Sequence, residues 1–259
     1  MAAAFCRATN DWIRDEWLNR DPRLRASIVI PAHNTELAVA EIERRADDFR
    51  FVQVMMLVSG EVTLGRRQLW PIYRLAEKLE LPIGIHAGSA YHNPPTSVGW
   101  GSYHIEDYVA QAQAFQTQLT SLIVEGVFAR HPNLRMVMLE SGFTWLPSWL
   151  WRVHKYWRGL RMEIPWVDRP PPEIIRDQVR FTLQPIDAPG TANGKPEPQA
   201  TFLPLSARST LSRSISTVLP RSVATVCQSA ACAVASAQPS ATAISVGFNM
   251  ACFLMTGLA

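Results

Sequence analysis

The sequence predicts an α/β protein built on a parallel sheet, and three observations support this. Short apolar runs alternate with segments of helical periodicity over the first 188 of the 259 residues. The runs are almost continuously apolar, as is typical of strands covered on both faces. Strand–helix–strand alternation favours parallel strands joined by right-handed crossovers. Two architectures fit this pattern, an open doubly wound sheet and a (β/α)8 barrel.

Compact apolar runs bounded by turn residues predict five strands, at 26–32, 50–60, 81–86, 134–141 and 178–186. Helices are predicted between them at 35–48, 68–80, 105–131 and 144–161, with a shorter helical piece before the last strand. Thr35 is a candidate cap for the first helix, and Pro71 falls in the first turn of the second, where a missing N–H is harmless. The helix at 144–161 is rich in tryptophan, a pattern more typical of core packing than of an interface.

The composition of the chain changes near residue 188. Every histidine and every tryptophan precedes this point, and Glu197 is the one acidic residue after Ala188. Serine, alanine, threonine and proline dominate from there on, without a sustained helical or strand period. Such a segment buries too little apolar area to offset the entropy of ordering. We therefore predict a folded domain at 1–188 and a low-complexity, disordered tail at 189–259.

Several classes of protein are disfavoured by composition. A net charge of +3 argues against nucleic acid as the main partner. The first 17 residues, MAAAFCRATNDWIRDEW, carry charges where a secretory signal needs an apolar core. The four cysteines have no C-x-x-C spacing. The apolar stretch 244–259 falls short of the roughly 20 residues of a membrane span. A cytoplasmic protein that acts on a small molecule is the expectation.

Polar residues follow the predicted strands where each one ends. His33 follows the first strand, His86 ends the third and Glu140 lies at the end of the fourth. Because the carboxyl ends of parallel strands share one edge of the sheet, these side chains should converge. An imidazole and a carboxylate can bind a divalent metal or form a general acid–base pair. We predict His86 as a metal ligand and Glu140 as a catalytic residue; the alternative is that the histidines are ordinary hydrogen-bonded surface residues.

The segment 87–104 is long and rich in glycine, proline and serine, and it lies at the expected active end. Long loops in this position often close over substrates. Ser89 and His104 lie in this loop, and we predict that they bind substrate together with His33.

Three segments, LPIGIHAG, VFARHPNLRMVMLESGFTWLPSWLWRVHKYWRGLRMEIPWVDRPP and IIRDQVRFTLQPID, resemble the amidohydrolase-related family. This branch includes aminocarboxymuconate-semialdehyde decarboxylase. The resemblance implies a distorted (β/α)8 barrel with a divalent metal, usually zinc, held by an H-x-H pair, a histidine ending the fifth strand and a late aspartate. His86 matches the fifth-strand histidine. Glu140 occupies the place where the family often carries a catalytic histidine.

The chain departs from this pattern in two places. It has no H-x-H, and the final-strand segment with its aspartate is absent. We therefore predict a partial barrel that lacks the first and last strands, with weak metal binding and a frameshift as the explanation of residues 189–259. The resemblance implies a metal-dependent hydrolase or decarboxylase acting on a small carboxylated or carbonyl-bearing compound, and a homodimer. The alternative is an inactive fragment, or a binding or oligomerisation module that uses the helix at 144–161.

Overall fold

The structure is a computed structural model, and it describes residues 1–88, Pro94 and residues 98–182. The predicted tail at 189–259 lies outside the described residues, so the domain boundary at 188 stays a prediction.

Strands and helices alternate along the described residues. The strands are β1 (Ala26–Val29), β2 (Phe51–Leu57), β3 (Ile83–His86), β4 (Met136–Leu139) and β5 (Val179–Phe181). The helices are α1 (Ala2–Ile13), α2 (Thr35–Arg45), α3 (Trp70–Lys78), α4 (His104–Val124), α5 (Val127–Arg130), α6 (Leu146–Leu160) and α7 (Pro171–Gln178). A π-helical turn, Arg14–Leu18, extends α1, and 3-10 turns lie at Arg67–Leu69 and Arg161–Glu163.

The five strands form one parallel sheet in the order β1-β2-β3-β4-β5. The predicted fold class is confirmed. The order also separates the two architectures left open by the sequence, because a doubly wound sheet reverses its strand order at a switch point and a barrel does not. The described strands contain no such reversal. All their carboxyl ends therefore lie along one edge.

The two faces of the sheet are buried to different degrees. In β2, Val54 and Met56 are buried, whereas Met55 and Leu57 on the other face are half-buried. The buried side packs against the helices and forms the core, which includes Ile28, Ile83, Ile85, Met136 and Phe115. Each such side chain contributes about 1.5–3 kcal/mol. The side chain of His86 lies on the half-buried face, two residues along β3 from Gly84.

The N-terminal helix α1, which the sequence did not predict, covers the free edge of β1. Asn10 is fully buried, and its amide nitrogen donates to the carbonyl oxygen of Val29 at 2.9 Å. Its amide oxygen accepts from the N–H of Val29, also at 2.9 Å. One side chain thus satisfies both backbone groups that an edge strand would otherwise leave unpaired. A further hydrogen bond of 2.7 Å from Asn10 to Glu41 ties α2 to this contact.

Two local predictions were wrong in detail. The helix predicted at 105–131 is interrupted, because Gly126 adopts a left-handed φ of 83° between α4 and α5, a conformation that favours glycine. The cap of α2 is Asn34, whose side chain accepts from the N–H of Leu37, and not Thr35. The Thr35 hydroxyl instead donates to the carbonyl oxygen of Gln68. Among the described residues, no helix combines the length and apolarity needed to cross a membrane.

Candidate active site

His86 and Glu140 come together at the carboxyl edge of the sheet. His86 is the last residue of β3 and pairs in register with Leu57 of β2 and Leu139 of β4. Glu140 directly follows β4, and its Oε2 lies 3.8 Å from Nε2 of His86. The side chain of His86 is 11% exposed and that of Glu140 is 50% exposed. The pair therefore joins a buried imidazole to a carboxylate that solvent or a ligand can reach.

The hydrogen bonding of the His86 ring fixes which nitrogen faces Glu140. Nδ1 lies 2.6 Å from the carbonyl oxygen of Ala87. A carbonyl oxygen can only accept, so Nδ1 carries a proton and donates it. In the neutral ring, Nε2 is then an acceptor turned toward a carboxylate, which also accepts. At 3.8 Å the two acceptors are too far apart for a direct hydrogen bond, and a cation between them would be attracted to both, as in a metal ligand set.

Glu140 is held in a backbone conformation that non-glycine residues seldom adopt. Its φ is 56°, in the left-handed region. The cost for an L-residue is about 1–2 kcal/mol. The N–H of Glu140 donates to the hydroxyl oxygen of Thr182 at 3.0 Å, and this contact fixes the turn to the end of β5. Such strain often accompanies a functional side chain.

Neighbouring loops hold the two side chains in place. The N–H of Ala87 donates to the carbonyl oxygen of Leu139, and the N–H of Val58 donates to that of His86. Gly88 exchanges two hydrogen bonds with the Gln111 amide of α4, at 3.3 and 2.7 Å. After Glu140, the indole of Trp145 donates to the carbonyl oxygen of Ser141 at 2.9 Å. The residues that follow β3 and β4 are therefore each held by hydrogen bonds from a neighbouring strand and from a helix side chain or indole.

Gly84 opens the face of the sheet beneath His86. A Cβ at this position would lie 2.9 Å from Oε1 of Gln53 and 2.9 Å from Cδ1 of Leu139. Because Gly84 has no side chain, the side chains of Gln53 and Leu139 occupy the space above it. Leu57 and Leu139, both half-buried, then flank His86 with apolar surface. The site combines two leucine side chains and the Gln53 amide with one imidazole and one carboxylate.

The other predicted site residues are placed differently. His33 is exposed in the turn before α2, and β1 lies two strands from β3, about 10 Å across the sheet. His104 is exposed at the first residue of α4, and its ring makes an edge-on contact with Tyr108 at 4.8 Å. Ser89 lies outside the described residues. Substrate binding by His33, Ser89 and His104 therefore stays a prediction.

A divalent metal fits this site only in part. Two ligands of one tetrahedral ion stand roughly 3.4 Å apart for bonds of about 2.1 Å, close to the His86–Glu140 separation of 3.8 Å. A protein zinc site has three or more protein ligands. Within the described ranges no group of three histidine, cysteine, aspartate or glutamate side chains is arranged to hold an ion.

The family model of the amidohydrolases matches residues 1–209, which is well over half of the chain. The chain belongs to the amidohydrolase family. A curated amidohydrolase relative, the gamma-resorcylate decarboxylase of Rhodococcus jostii (strain RHA1), is 25% identical over 181 residues, covering 66% of this chain and 52% of that protein. The chain spans about half the length of the curated relatives it matches, which are gamma-resorcylate decarboxylases.

Solved amidohydrolase structures share the fold. An amidohydrolase from Mycobacterium avium subsp. paratuberculosis K-10 is 23% identical and aligns with a TM-score of 0.57, over 67% of this chain and 46% of that one. A dihydroxybenzoic acid decarboxylase from Polaromonas sp. JS666, solved with bound manganese and 2-nitroresorcinol, is 20% identical and aligns with a TM-score of 0.52. The alignment covers 68% of this chain and 55% of that one. These matches and the strand order identify the sheet as part of a barrel, and the predicted partial barrel is confirmed.

Sequence reasoning missed two residues that shape this site. Gln111 had no signal in the sequence, because a glutamine in a helix is ordinary surface composition. Thr182 lies within the last strand predicted at 178–186, but its hydrogen bond to Glu140 depends on the pairing of β4 with β5. The positions of His86 and Glu140 at equivalent strand ends were the signal that did find the pair.

Proposed function

We propose that the chain contributes the His86–Glu140 pair to an amidohydrolase-fold decarboxylase that acts on a small aromatic carboxylic acid. The observation that carries the proposal is the placement of an imidazole nitrogen 3.8 Å from a carboxylate at the carboxyl edge of the sheet. The curated relatives, all gamma-resorcylate decarboxylases, favour decarboxylation over hydrolysis.

The pair has a clear role in such a reaction. The bond between the ring carbon and the carboxylate carbon breaks, carbon dioxide leaves, and the electron pair stays on the ring carbon. That carbon must then accept a proton. We expect the half-exposed carboxyl group of Glu140, beside His86, to take up a proton from solvent and deliver it to that carbon. The half-buried Leu57 and Leu139 beside His86 suit an aromatic ring, as expected for a pocket that is mostly apolar with few polar groups.

The divalent metal belongs to this proposal as well. Nε2 of His86 and the carboxylate of Glu140 are the donors that the described residues offer to manganese, the ion found in the Polaromonas relative, or to zinc, the ion implied by the resemblance. When bound, such an ion would supply positive charge for a substrate carboxylate. Two donors make a weak site, so we expect an affinity well below that of a three-ligand zinc enzyme.

Turnover of 2,6-dihydroxybenzoate tests the proposal. The purified chain is incubated with this compound and with manganese or zinc, and resorcinol is measured by chromatography. We expect His86→Ala and Glu140→Gln each to reduce the rate about 100-fold or more, as expected for the loss of an acid–base group. His154→Gln, on α6, is the matched control and should leave the rate unchanged. Equal turnover by the wild type and both site variants would contradict the proposal.

A further inference from the structure

A single peptide group connects the His86 ring to helix α4. The peptide between Ala87 and Gly88 makes one contact with its carbonyl oxygen and another with its N–H. The carbonyl oxygen accepts from Nδ1 of His86 at 2.6 Å. The N–H donates to Oε1 of Gln111, in α4, at 3.3 Å. Because a peptide group is planar, a side chain that fixes the N–H also fixes the direction of the carbonyl oxygen.

Gly88 is the residue at which this connection has the most backbone freedom, since glycine is the least restricted residue. Gln111 holds Gly88 twice, because its Nε2 also donates to the Gly88 carbonyl oxygen at 2.7 Å. The Ser59 hydroxyl donates to the same oxygen at 3.4 Å. On the other side, the N–H of Ala87 donates to the carbonyl oxygen of Leu139 at 3.1 Å. The peptide that accepts from the imidazole is therefore held from a strand and from a helix.

The direction of the Gln111 amide follows from its three partners. Its Nε2 faces two oxygens, the carbonyl oxygen of Gly88 at 2.7 Å and Oδ1 of Asp107 at 3.2 Å. A carbonyl group and an ionised carboxylate can only accept, so the NH2 group occupies this end of the amide. Oε1 is then turned to the N–H of Gly88. Asp107 lies one helical turn before Gln111, so α4 itself orients the amide.

We propose that Gln111 is a positioning residue for His86, which acts through the Ala87–Gly88 peptide to keep the imidazole proton on Nδ1. The hydrogen bond made by one ring nitrogen sets which nitrogen of a neutral histidine carries the proton. With the proton on Nδ1, the lone pair of Nε2 faces Glu140 and can bind a cation or accept a proton. If the carbonyl group of Ala87 turns away, the proton can move to Nε2 and this lone pair is lost. The inference rests on the proposed function for the use of that lone pair, but the position of the proton is measured without turnover.

Nuclear magnetic resonance of the full chain labelled with nitrogen-15 tests the inference. At about pH 8, above the usual pKa of histidine, the wild-type His86 ring should carry its proton on Nδ1. Gln111→Met keeps the length of the side chain and suits a helix, but it removes both hydrogen bonds to Gly88. We expect this variant to show part of the His86 proton on Nε2 and faster hydrogen exchange at the Gly88 N–H. The manganese concentration that broadens the Nε2 signal should rise about tenfold, as is typical when a group behind a metal-binding histidine is lost.

Gln178→Met is the matched control. The Gln178 side chain, on α7, also holds two backbone groups, since Nε2 donates to the carbonyl oxygens of His131 and Leu134 at 3.0 and 3.2 Å. These groups precede β4, at the edge of the sheet opposite to His86. The control variant should be less stable than the wild type, because two buried carbonyl groups lose a partner, but it should leave the His86 proton on Nδ1.

Three results would overturn the inference. One is a wild-type His86 ring that is protonated on Nε2. Another is a proton that stays wholly on Nδ1 in Gln111→Met, because Gln111 would then hold the chain without acting on the ring. The third is an equal shift of the proton in Gln178→Met, which would indicate a general loosening of the fold. Failure of the proposed function gives a different result, since the wild type would not turn over 2,6-dihydroxybenzoate while Gln111→Met still moved the proton.

Discussion

Replacing Glu140 by glycine should give a more stable protein than replacing it by alanine. Both variants lose the carboxylate, so their difference isolates the backbone at φ 56°. An L-residue in the left-handed region costs about 1–2 kcal/mol. Glycine avoids this cost but loses about 0.4–1 kcal/mol because its unfolded chain has more freedom. The expected difference in the free energy of unfolding is therefore about 1 kcal/mol in favour of glycine.

Urea unfolding, followed by tryptophan fluorescence, measures this difference, and a shift of the melting temperature of about 2–4 °C should accompany it. The carboxylate itself should contribute little stability, because Glu140 is 50% exposed and its partner atom is 3.8 Å away. Glu140→Gln should accordingly unfold within about 1 kcal/mol of the wild type while it loses turnover. If the alanine variant is as stable as the glycine variant, the backbone at this position is not strained, and Glu140 does not lower the stability of the protein.

Other changes test the scaffold that positions the site. Gly126→Ala should lower the free energy of unfolding by about 2 kcal/mol, because φ is 83° and the new Cβ would lie 2.5 Å from Cδ1 of Trp166. Gly159 lies in a helix, and a Cβ there would meet no atom within 4 Å. Gly159→Ala should therefore raise the free energy of unfolding by about 1 kcal/mol, and equal effects of the two changes would refute this reasoning. Asn10→Ala should cost about 2–3 kcal/mol in the same assay, because Val29 at the sheet edge loses both hydrogen bonds; a loss under about 0.5 kcal/mol would show that α1 does not protect that edge. Burial raises the pKa of Cys6 to about 11, so the folded state holds the thiol proton more tightly than the unfolded state, and stability should be full below pH 9 and fall as pH rises toward 11. Cys6→Ala should flatten this part of the pH profile of urea unfolding, and an unchanged slope would contradict the assignment.

The order and type of the elements could be predicted because the parallel sheet is specified locally. Each strand is a compact apolar run, and Pro71 at the start of α3 and Asn34 before α2 mark helix starts in the sequence. Both asparagine and threonine can cap a helix, so the sequence alone does not choose between Asn34 and Thr35. The choice depends on which side chain reaches the N–H of Leu37, and that is a tertiary outcome.

The break in the helix predicted at 105–131 shows a different limit. Gly126 in a helical pattern costs only about 1 kcal/mol, so the pattern alone does not end the helix. The helix ends where Gly126 adopts a φ of 83° and where the Trp166 indole donates to the carbonyl oxygen of Val124 at 2.8 Å. That contact joins residues 42 apart in the chain and leaves no local signal in the sequence.

The pair at the site was predictable in kind but not in geometry. The rule that chemistry gathers at strand carboxyl ends selected His86 and Glu140, and strand adjacency then brought them together. The same rule also selected His33, which follows a strand two positions away in the sheet. The left-handed turn at Glu140 and its anchor on Thr182 depend on β5 and were beyond sequence reasoning.

Binding of manganese at the histidine rings tests most directly whether His86 and Glu140 form one site. In protein labelled with nitrogen-15 at histidine, nuclear magnetic resonance near neutral pH should show the His86 ring protonated at Nδ1, and low concentrations of manganese should broaden its Nε2 signal before that of any other described histidine. Glu140→Gln should weaken this broadening, because it removes the second donor at 3.8 Å. A His86 ring protonated only at Nε2, or broadening that Glu140→Gln leaves unchanged, would contradict the account.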